Sequence, residues 1–466
     1  MPRIVIIGAG VTGLSAAYHL EKKGVFDYIL LEKKPTIGGL CGSVIQDGFT
    51  FDHCGHLLHI NDSYFKKFIE EVVGFNTFTK VKRKSYIYSH DCYTLYPYQV
   101  NLRGLPPTII SECIKGFVER PTKNIAGVKK ESFRSWTLKN FGYGFTKHFF
   151  DPYQKKIFCH SIDEITDSWT SRFVPQTSLD DILMGALTEK ESVGYNASFY
   201  YPKSGGIVTW LAKIAASLKN KIHTSTAAES INTKNKTITT QDGTVIPYEY
   251  LITTMPLDSM LKTLIEKPTL NCKKALKHLR CNSVLNFNIG ISKPSITDKH
   301  WIYYPELKYP FYRLAFPHNF GDYTTPDNCS AISGEFAYLN HSELDLESAY
   351  KKSLSIVKKL FNFKKSDIIT EKKLHLSHAF VTYNFWREKN LPKLLNKLEQ
   401  ESIHSVGRYG AWKYASMQEG ILDGKSVVDL IAMTPAKVPV LTKKRTLSQP
   451  VSAISTKTIN NKNLLK

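Results

Sequence analysis

The 466-residue sequence lacks the features that mark several protein classes. No apolar run approaches the roughly 18 residues that a membrane-spanning helix needs. The eight cysteines are scattered without paired spacing, so we expect reduced thiols rather than a disulfide framework. No internal repeat and no nucleic-acid-binding motif is visible. The first apolar segment enters a glycine-rich turn at once, so we expect no signal peptide, and the reduced thiols indicate a cytoplasmic protein.

Acidic side chains are scarce, because 41 Asp and Glu against 62 Lys and Arg leave a formal net charge of +21. Residues 436–466 contain seven Lys and Arg and no acid, and their polar, aperiodic composition is typical of a disordered tail. Such a tail suits weak contact with a membrane surface or nucleic acid, or simple solvation. Because no nucleic-acid-binding motif accompanies it, we expect no nucleic-acid partner. The positive body favours anionic small molecules.

One short stretch, "HCGHLLH", places a cysteine and three histidines between His53 and His59. Zinc uses such ligands, but usually on two separated segments that can close a tetrahedron. Here Cys54 and His56 are only one residue apart, and the sequence has no second Cys/His cluster. The spacing favours a structural cluster over a metal site, and we expect no metal.

The N-terminal stretch "RIVIIGAGVTGLSAAYHLEKKG" predicts a buried strand from Arg3, a glycine turn and an amphipathic helix. Gly8 makes the turn, Gly10 lets the backbone approach a pyrophosphate, and Gly13 allows close helix–strand contact. The second strand, "YILLE", ends at Glu32, which is placed to accept ribose hydroxyls while the helix N-terminus faces the phosphates. This spacing predicts a dinucleotide-binding unit.

Two further segments distinguish FAD from NAD. Beyond the acid, "KKPTIGGLCGS" contains the pair Gly38 and Gly39, followed by Leu40. Residues 229–256 read as three short strands with an Asp242-Gly243 hairpin turn, and then a buried returning strand. Both segments resemble the flavoprotein amine-oxidase superfamily. The resemblance implies FAD, with NAD as the minor alternative, and places Gly38 to Leu40 near the dinucleotide.

Within that superfamily, "FDHCGHLLHINDSYF" resembles the glycine-histidine loop of UDP-galactopyranose mutases, in which a histidine sits against the flavin. The resemblance, especially to the eukaryotic branch, spans most of residues 3–435. It implies that His56 is the flavin neighbour. A flavin-side role for the loop is a further reason to expect no metal there.

The resemblance also assigns substrate residues. "LYPYQVN" resembles the stretch that holds uracil, with Tyr98 as the stacking ring and Gln99 as the amide partner. Arg172 and Arg313 match the arginines that hold the diphosphate, a role that suits guanidinium groups because each can grip oxygens bidentately. Asn196 matches a substrate residue. The residues themselves leave other roles open: a core position for Tyr98, structural salt bridges for the arginines, and a turn for Asn196.

Other segments match in the same order along the chain. "DPYQKKIF" resembles a Pro-Tyr-Asn-x-Lys segment, with Gln154 in place of the asparagine. "DKHWIYYPELKYPFYR" adds Tyr303 to the substrate residues. In "GRYGAWKY" the resemblance implies that Gly407 and Arg408 contact the cofactor, and that Tyr414 reaches the substrate phosphate.

The match fails in two places. Phe380 stands where a diphosphate-binding tyrosine is expected, and Tyr383, three residues on, is the candidate to substitute for it. "SMQEG" replaces the Asn-Gln-Asp-His of the family, although Gln418 and Glu419 can still meet the flavin edge at a helix start. Both changes affect expected ligand contacts and not the segments that define the fold.

The function implied by the resemblance is an isomerase that interconverts pyranose and furanose forms of a UDP-sugar such as UDP-galactose. FAD acts in its reduced form, through an adduct between the flavin N5 and the sugar, and an external reductant such as NAD(P)H or a reductase is required. The alternative is an amine-oxidase-like or protoporphyrinogen-oxidase-like oxidoreductase. A FAD-binding protein with little catalysis is a third hypothesis.

We expect an α/β fold with a Rossmann-like FAD-binding domain, built of a parallel sheet plus β-meander, and a discontinuous substrate domain of helices and antiparallel sheet. Pro106-Pro107 predicts a helix start, and "VLNFNIGIS" and "CSAISGEFAY" predict strands. The expected boundaries are 1–75, 205–260 and 400–435 for the first domain, 76–204 and 261–399 for the second, and 436–466 for the tail.

Overall fold

The structure is a computed structural model that describes residues 4–123, 127, 131–188, 197–265, 272–339 and 345–433. Within these ranges the strands are β1 (Ile4–Ile7), β2 (Tyr28–Leu31), β3 (Ser43–Gln46), β4 (Phe49–Asp52), β5 (Phe78–Lys82), β6 (Ser85–Ser89), β7 (Cys92–Leu95), β8 (Ser198–Pro202), β9 (Ile222–His223), β10 (Ala228–Asn232), β11 (Thr237–Thr240), β12 (Val245–Pro247), β13 (Tyr250–Thr253), β14 (Leu264–Ile265), β15 (Ser283–Ile291), β16 (Trp301–Tyr303), β17 (Arg313–Ala315), β18 (Ser330–Tyr338), β19 (Ile368–Leu376) and β20 (Ile403–Ser405).

In the same part of the chain the α-helices are α1 (Val11–Lys22), α2 (Ser63–Phe68), α3 (Pro107–Val118), α4 (Phe133–Phe145), α5 (Asp151–Phe158), α6 (Thr170–Phe173), α7 (Leu179–Leu187), α8 (Val208–Ser217), α9 (Leu257–Thr263), α10 (Cys272–His278), α11 (Leu346–Leu360), α12 (Phe385–Gln400), α13 (Gly407–Gly410) and α14 (Met417–Met433). Single turns of 3₁₀-helix include Gly39–Cys41 and Tyr98–Val100, and short π-helical turns span Ile69–Val73 and Thr146–Phe150.

A parallel five-stranded sheet, in the order β20–β13–β1–β2–β9, confirms the parallel sheet that the sequence predicted for the dinucleotide-binding unit. β1 is buried on both faces, because Ile4 and Ile6 join a core cluster with α1, α8 and α14, while Val5 and Ile7 join another with α9 and α12. The second strand ends at Leu31, one residue earlier than the sequence predicted.

The predicted β-meander is also confirmed. β10, β11 and β12 pair antiparallel in chain order, and the Asp242-Gly243 turn lies between β11 and β12. β13 then returns to the parallel sheet beside β1.

The second large sheet has seven strands in the order β19–β15–β18–β17–β16–β6–β7. Its pairs are antiparallel except for β16 and β6, and β15 and β18 confirm the two strands that the sequence predicted here. α3 begins at Pro107, as the Pro-Pro pair predicted, because the fixed φ of proline suits the first helical turn.

The predicted α/β fold class is confirmed by this combination of parallel, meander and antiparallel sheets. The parallel sheet takes its strands from three separate parts of the chain: residues 4–31, 222–253 and 403–405. The predicted domain boundaries stay predictions. No helix in the described ranges combines the length and hydrophobicity of a membrane span.

Candidate functional site

The turn after β1 and the start of α1 contain two glycines, Gly8 and Gly13, at positions where a side chain does not fit. Gly8 has a φ of +100°, in the left-handed region that favours glycine. A Cβ on Gly13 would lie 1.8 Å from the carbonyl oxygen of Gly8, so glycine is needed for α1 to approach the turn this closely. Gly10 forms a parallel bridge with Gly38, and its Cβ would lie 3.9 Å from the Cα of Gly39. The turn and the glycine pair therefore meet at the N-terminus of α1.

Glu32 directly follows β2, and its buried carboxylate faces the same turn. Oε2 accepts a 2.8 Å hydrogen bond from the N–H of Ala9, and Oε1 accepts one of the same length from the N–H of Lys34. These bonds hold the acid at the carboxyl end of the strand, where a dinucleotide fold places its ribose acceptor. Leu40 is partly buried in the 3₁₀ turn beside the glycine pair.

The segment from Gly407 to Gln418 closes over the glycine turn. Gly407 has a φ of +79°, and a Cβ there would lie 2.7 Å from the Oγ1 of Thr12 in α1. The guanidinium of Arg408 donates to two backbone carbonyls. The Oε1 of Gln418 accepts the N–H of Asn61 at 2.8 Å, which ties the start of α14 to the first part of the chain.

Residues His53–His59, which we call the histidine loop, direct their side chains into separate surroundings. The ring of His53 packs against Gly42, where a Cβ would lie 2.5 Å from Cε1. His59 Nδ1 lies 3.1 Å from the carbonyl oxygen of Ser198. Among the described residues, no group of three or more His, Cys, Asp or Glu side chains is arranged to hold a metal ion.

His56 is held in its neutral form. Burial first, and then the positive charges of Arg408 and Arg313, lower the pKa of its imidazole from 6.5 to about 4. At neutral pH the ring therefore offers one N–H donor and one acceptor nitrogen without adding charge. Such a group can orient a cofactor or substrate by hydrogen bonding.

A cavity of about 180 Å³ has a largely aromatic wall. Three of its lining residues, Gln99, Gln154 and Arg313, bring an amide or guanidinium group, and tyrosine hydroxyls add further polar atoms. The complete lining is Tyr96, Gln99, Phe149, Phe150, Tyr153, Gln154, Ile157, Phe158, Trp169, Phe173, Val174, Tyr303, Tyr312, Arg313, Phe380, Val381, Tyr383 and Tyr414.

The cavity brings together five side chains that the sequence assigned to substrate: Gln99, Tyr303, Arg313, Tyr383 and Tyr414. Tyr98 lies elsewhere, in the core, with 0% exposure and its ring stacked on Phe149 at 5.0 Å. Asn196 lies outside the described residues. The backbone of Arg172 belongs to α6, but its side chain is also outside the described part.

Arg313 makes a bidentate ion pair at the cavity. Its Nη2 donates to Oε1 and Oε2 of Glu335 at 2.6 and 2.9 Å, and its Nε donates to Oε1 at 3.1 Å. The guanidinium therefore meets the cavity with its charge largely balanced. The sequence raised this structural salt bridge as an alternative to a substrate role, and the cavity position allows both.

Tyr303 and Arg313 stand at the two ends of one loop, and Lys156 of α5 fixes that loop. The Lys156 ammonium donates to the backbone carbonyls of Tyr304, Glu306 and Phe311 at 2.6, 3.1 and 2.5 Å. An ammonium has three N–H donors, so these contacts satisfy it completely. Lys156 belongs to the segment "DPYQKKIF", but nothing in the sequence indicated that it holds this loop.

Phe380 and Tyr383 also lie at the cavity. The ring of Phe380 stacks parallel to that of Tyr414 at 6.3 Å. The hydroxyl of Tyr383 accepts the backbone N–H of Tyr414 at 2.7 Å, and the guanidinium of Arg387 lies 3.7 Å from the centre of its ring. Tyr383 is thus fixed beside Tyr414.

Tyr96 at the cavity wall, and Arg83 behind it, were not predicted from the sequence. Tyr96 lines the cavity and packs on Tyr303 with 5.1 Å between the ring centres. Arg83, only 7% exposed, places its guanidinium 5.0 Å from the Tyr96 ring, and its Nε has no hydrogen-bond partner within the described residues. Tyr96 belongs to the same "YPYQ" motif as Tyr98, the ring that the family resemblance assigned to uracil. Nothing local to the sequence marked Arg83.

The fold agrees with that of known flavoproteins. The sequence profile described as flavin-containing amine oxidoreductase matches residues 11–432. A solved structure of reduced UDP-galactopyranose mutase superposes with a TM-score of 0.86 and 25% identity, covering 93% of this chain and 94% of the other. A putative protoporphyrinogen oxidase from Exiguobacterium sp. 255-15 shares the fold with a TM-score of 0.71 and 15% identity, covering 92% of this chain and 98% of that one.

Curated relatives with sequence similarity carry other names. A 4,4'-diapolycopene oxygenase from Methylomonas sp. is 22% identical over 65% of this chain and 65% of its own length. A 4,4'-diapophytoene desaturase from Staphylococcus haemolyticus (strain JCSC1435) is 35% identical over 18% of this chain and 17% of its own length. The chain thus matches less than two thirds of the length of these relatives.

Proposed function

We propose that this chain, which belongs to the flavin-containing amine oxidoreductase family, is an FAD-dependent mutase that interconverts the pyranose and furanose forms of a UDP-sugar similar to UDP-galactose. The observation that carries the proposal is the meeting, in one cavity, of side chains assigned to substrate from separate segments: Gln99, Tyr303, Arg313, Tyr383 and Tyr414. The similarity to reduced UDP-galactopyranose mutase over 93% of the chain supports it.

The cofactor is FAD. The glycine turn suits a pyrophosphate, because the N–H groups at the start of α1 favour an anion and Gly10, which has no side chain, lets the backbone approach it. The reduced flavin supplies a nucleophile for the sugar, so an external reductant such as NAD(P)H or a reductase is part of the proposal. The residues that we expect to hold FAD are Gly8, Gly10, Gly13, Glu32, Gly38, Gly39, Leu40, His56, Gly407, Arg408 and Gln418.

The protein's own contribution is to bind and orient the substrate. Arg313 and Arg172 are the proposed donors to the diphosphate, whose negative charge grows as the anomeric bond breaks. Gln99 offers an amide for the uracil, and its Nε2 is held by the carbonyl of Pro175 at 2.9 Å. Asn196 keeps its proposed place at the substrate. The aromatic wall excludes water from the reacting centre.

The hydroxyls of Tyr303, Tyr383 and Tyr414 complete the proposed substrate contacts. Phe380 offers no hydroxyl where the family resemblance expects one. Tyr383 supplies a phenol nearby, although the Tyr414 N–H already donates to its oxygen. Its O–H remains free to donate to a phosphate oxygen, because the phenol oxygen is both donor and acceptor.

The test is a turnover assay with dithionite-reduced protein. UDP-galactose and UDP-galactofuranose are incubated with it separately, and the products are resolved by chromatography. We expect interconversion by reduced protein only, and a ten- to hundredfold lower rate for Arg172→Lys and Arg313→Lys, since a point charge cannot reproduce a bidentate grip. Absence of both interconversion and UDP binding by the wild type would remove the proposal.

A second candidate is an oxidoreductase that acts on an apolar substrate. It is favoured by the aromatic cavity wall, whose one cationic side chain among the described lining residues is already paired with Glu335. The names of the curated relatives, a carotenoid oxygenase and desaturases, point the same way. Anaerobic mixing of the oxidised protein with amines, porphyrinogens and linear polyenes distinguishes the candidates, because only a hydride donor bleaches the flavin.

A further inference from the structure

Three residues on adjacent strands of the seven-stranded sheet form one row. Arg313 on β17 pairs with Glu335 on β18, and Glu335 pairs with Asn286 on β15. Glu335 and Asn286 are fully buried. Directly paired residues project from the same face of a sheet, so the three side chains lie side by side.

The row holds the backbone of the histidine loop. The N–H of Cys54 donates to Asn286 Oδ1 at 3.2 Å, and the N–H of Gly55 donates to Glu335 Oε1 at 3.2 Å. Two consecutive amides are thus fixed by two neighbouring members of the row, immediately before His56. Because the sheet is rigid and both acceptors are buried, the loop has a defined position in front of Arg313.

Glu335 is the shared member of these contacts. Its carboxylate accepts the bidentate pair from Arg313, the Gly55 N–H, and the Tyr312 hydroxyl at 2.5 Å. A carboxylate offers about four acceptor positions, and these donors occupy them. One buried charge therefore serves both the histidine loop and the arginine of the cavity.

We propose that Glu335 is a positioning residue that fixes Arg313 and the histidine loop together, and that its charge limits the affinity of the cavity for anions. The inference rests on the proposed function, because it requires Arg313 to face the substrate diphosphate. Without a paired carboxylate, the charge of Arg313 in a water-poor cavity would attract the UDP group strongly both before and after the anomeric bond breaks. A carboxylate bonded to it weakens that attraction, which leaves bound UDP free to depart.

Glu335→Gln tests the inference, because the amide keeps an acceptor for Gly55 but removes the charge. UDP and inorganic pyrophosphate are titrated into FAD-loaded wild type and variant by calorimetry, and the flavin midpoint potential is measured alongside. We expect both anions to bind about tenfold tighter or more, since a neighbouring negative charge is lost. The midpoint potential should become more positive, because less negative charge opposes reduction.

The matched control is Glu371→Gln on β19 of the same sheet. Glu371 also accepts a tyrosine hydroxyl, from Tyr350, but it is not part of the cavity wall. Neither anion affinity nor potential should change in this variant. The increase in anion affinity caused by Glu335→Gln should disappear in the double variant that also carries Arg313→Gln. If Glu335→Gln does not fold, Glu335→Asp, whose shorter side chain withdraws the charge from Arg313, should also tighten UDP binding.

The outcomes distinguish a failure of the inference about Glu335 from a failure of the mutase proposal. Wild type that binds UDP, together with a Glu335→Gln variant of equal or lower affinity, overturns the inference and leaves the mutase proposal standing. Equal or lower UDP affinity in a folded Glu335→Asp variant also overturns the inference alone. Wild type that binds no UDP overturns the mutase proposal and the inference with it.

Discussion

The carboxylate of Glu32 accepts a 2.8 Å hydrogen bond from the backbone N–H of Ala9, which joins the end of β2 to the glycine turn. The acid is therefore already oriented beside the predicted pyrophosphate site, with its other oxygen held by Lys34.

Glu32→Gln should weaken FAD binding about ten- to a hundredfold. The amide cannot accept from both backbone N–H groups, and it offers the ribose a neutral acceptor instead of a charged one, a difference of about 1.5–3 kcal/mol. Retained flavin is measured by absorbance after gel filtration, and the dissociation constant by titration of apoprotein. Glu229→Gln, at an exposed position on β10 of the β-meander, is the control and should retain FAD fully. Equal retention by both variants would contradict the prediction.

Tyr96 and Tyr98 should respond differently to the same substitution. Tyr96→Leu removes a cavity-lining ring and should lower UDP affinity at least fivefold, because base stacking is worth roughly 1–3 kcal/mol. Tyr98→Leu removes a fully buried ring and should lower the melting temperature by several degrees while UDP affinity stays within twofold. Calorimetric titration and thermal melts of both variants check this. A loss of UDP affinity in Tyr98→Leu alone would instead support the ring that the sequence motif predicted.

Phe380→Tyr should raise UDP affinity severalfold, because it restores a hydroxyl at the position where the family resemblance expects one and a hydrogen bond contributes about 1 kcal/mol. Phe158→Tyr is the control, since Phe158 lines the same cavity at 6.2 Å from Phe380. Equal gains in the two variants would show that an added hydroxyl acts nonspecifically. No gain in Phe380→Tyr would argue against a diphosphate at this wall.

The protein should lose stability on acidification from pH 7 to 5. Burial lowers the pKa of His19, His56, His59 and His300 from 6.5 to about 4, so the unfolded chain binds more protons in the window between those values. The free energy of unfolding therefore decreases as the pH is lowered, by up to about 2 kcal/mol per histidine at pH 5. Asp52 opposes this, because burial raises its pKa to about 6 and protonation favours the folded state.

Thermal melts at pH 7, 6 and 5 check this dependence. The melting temperature should drop by several degrees, and His300→Gln should flatten the dependence, whereas the exposed His375→Gln should not. A melting temperature that is constant or rises towards pH 5 would contradict the prediction.

Much of the fold was predictable because its signals are local. A glycine with positive φ, a proline before a helix, an Asp-Gly hairpin turn and an alternating apolar strand each depend on a few neighbouring residues. The glycine turn, the β-meander, α3, β15 and β18 therefore appear where the sequence put them, with one residue of error at the end of β2.

The site was predictable only in part. Family motifs selected five side chains that share one cavity, but not which tyrosine of "YPYQ" enters it, because that depends on how the chain turns after β7. Tyr96 faces the cavity, and Tyr98, two residues on, faces the core. The motif contains both rings, and only the surrounding helices decide between them.

By itself, the sequence determined the glycine turn, the position of Glu32 beside it and the superfamily of the fold, since each rests on short-range backbone requirements. Only the tertiary structure decided that Glu335 lies between Arg313 and Asn286 and receives the Gly55 N–H. These residues come from β17, β18, β15 and the histidine loop, and no local pattern links them. The register of the seven-stranded sheet brings them together, because cross-strand partners are set by pairing across the sheet and not by distance along the chain.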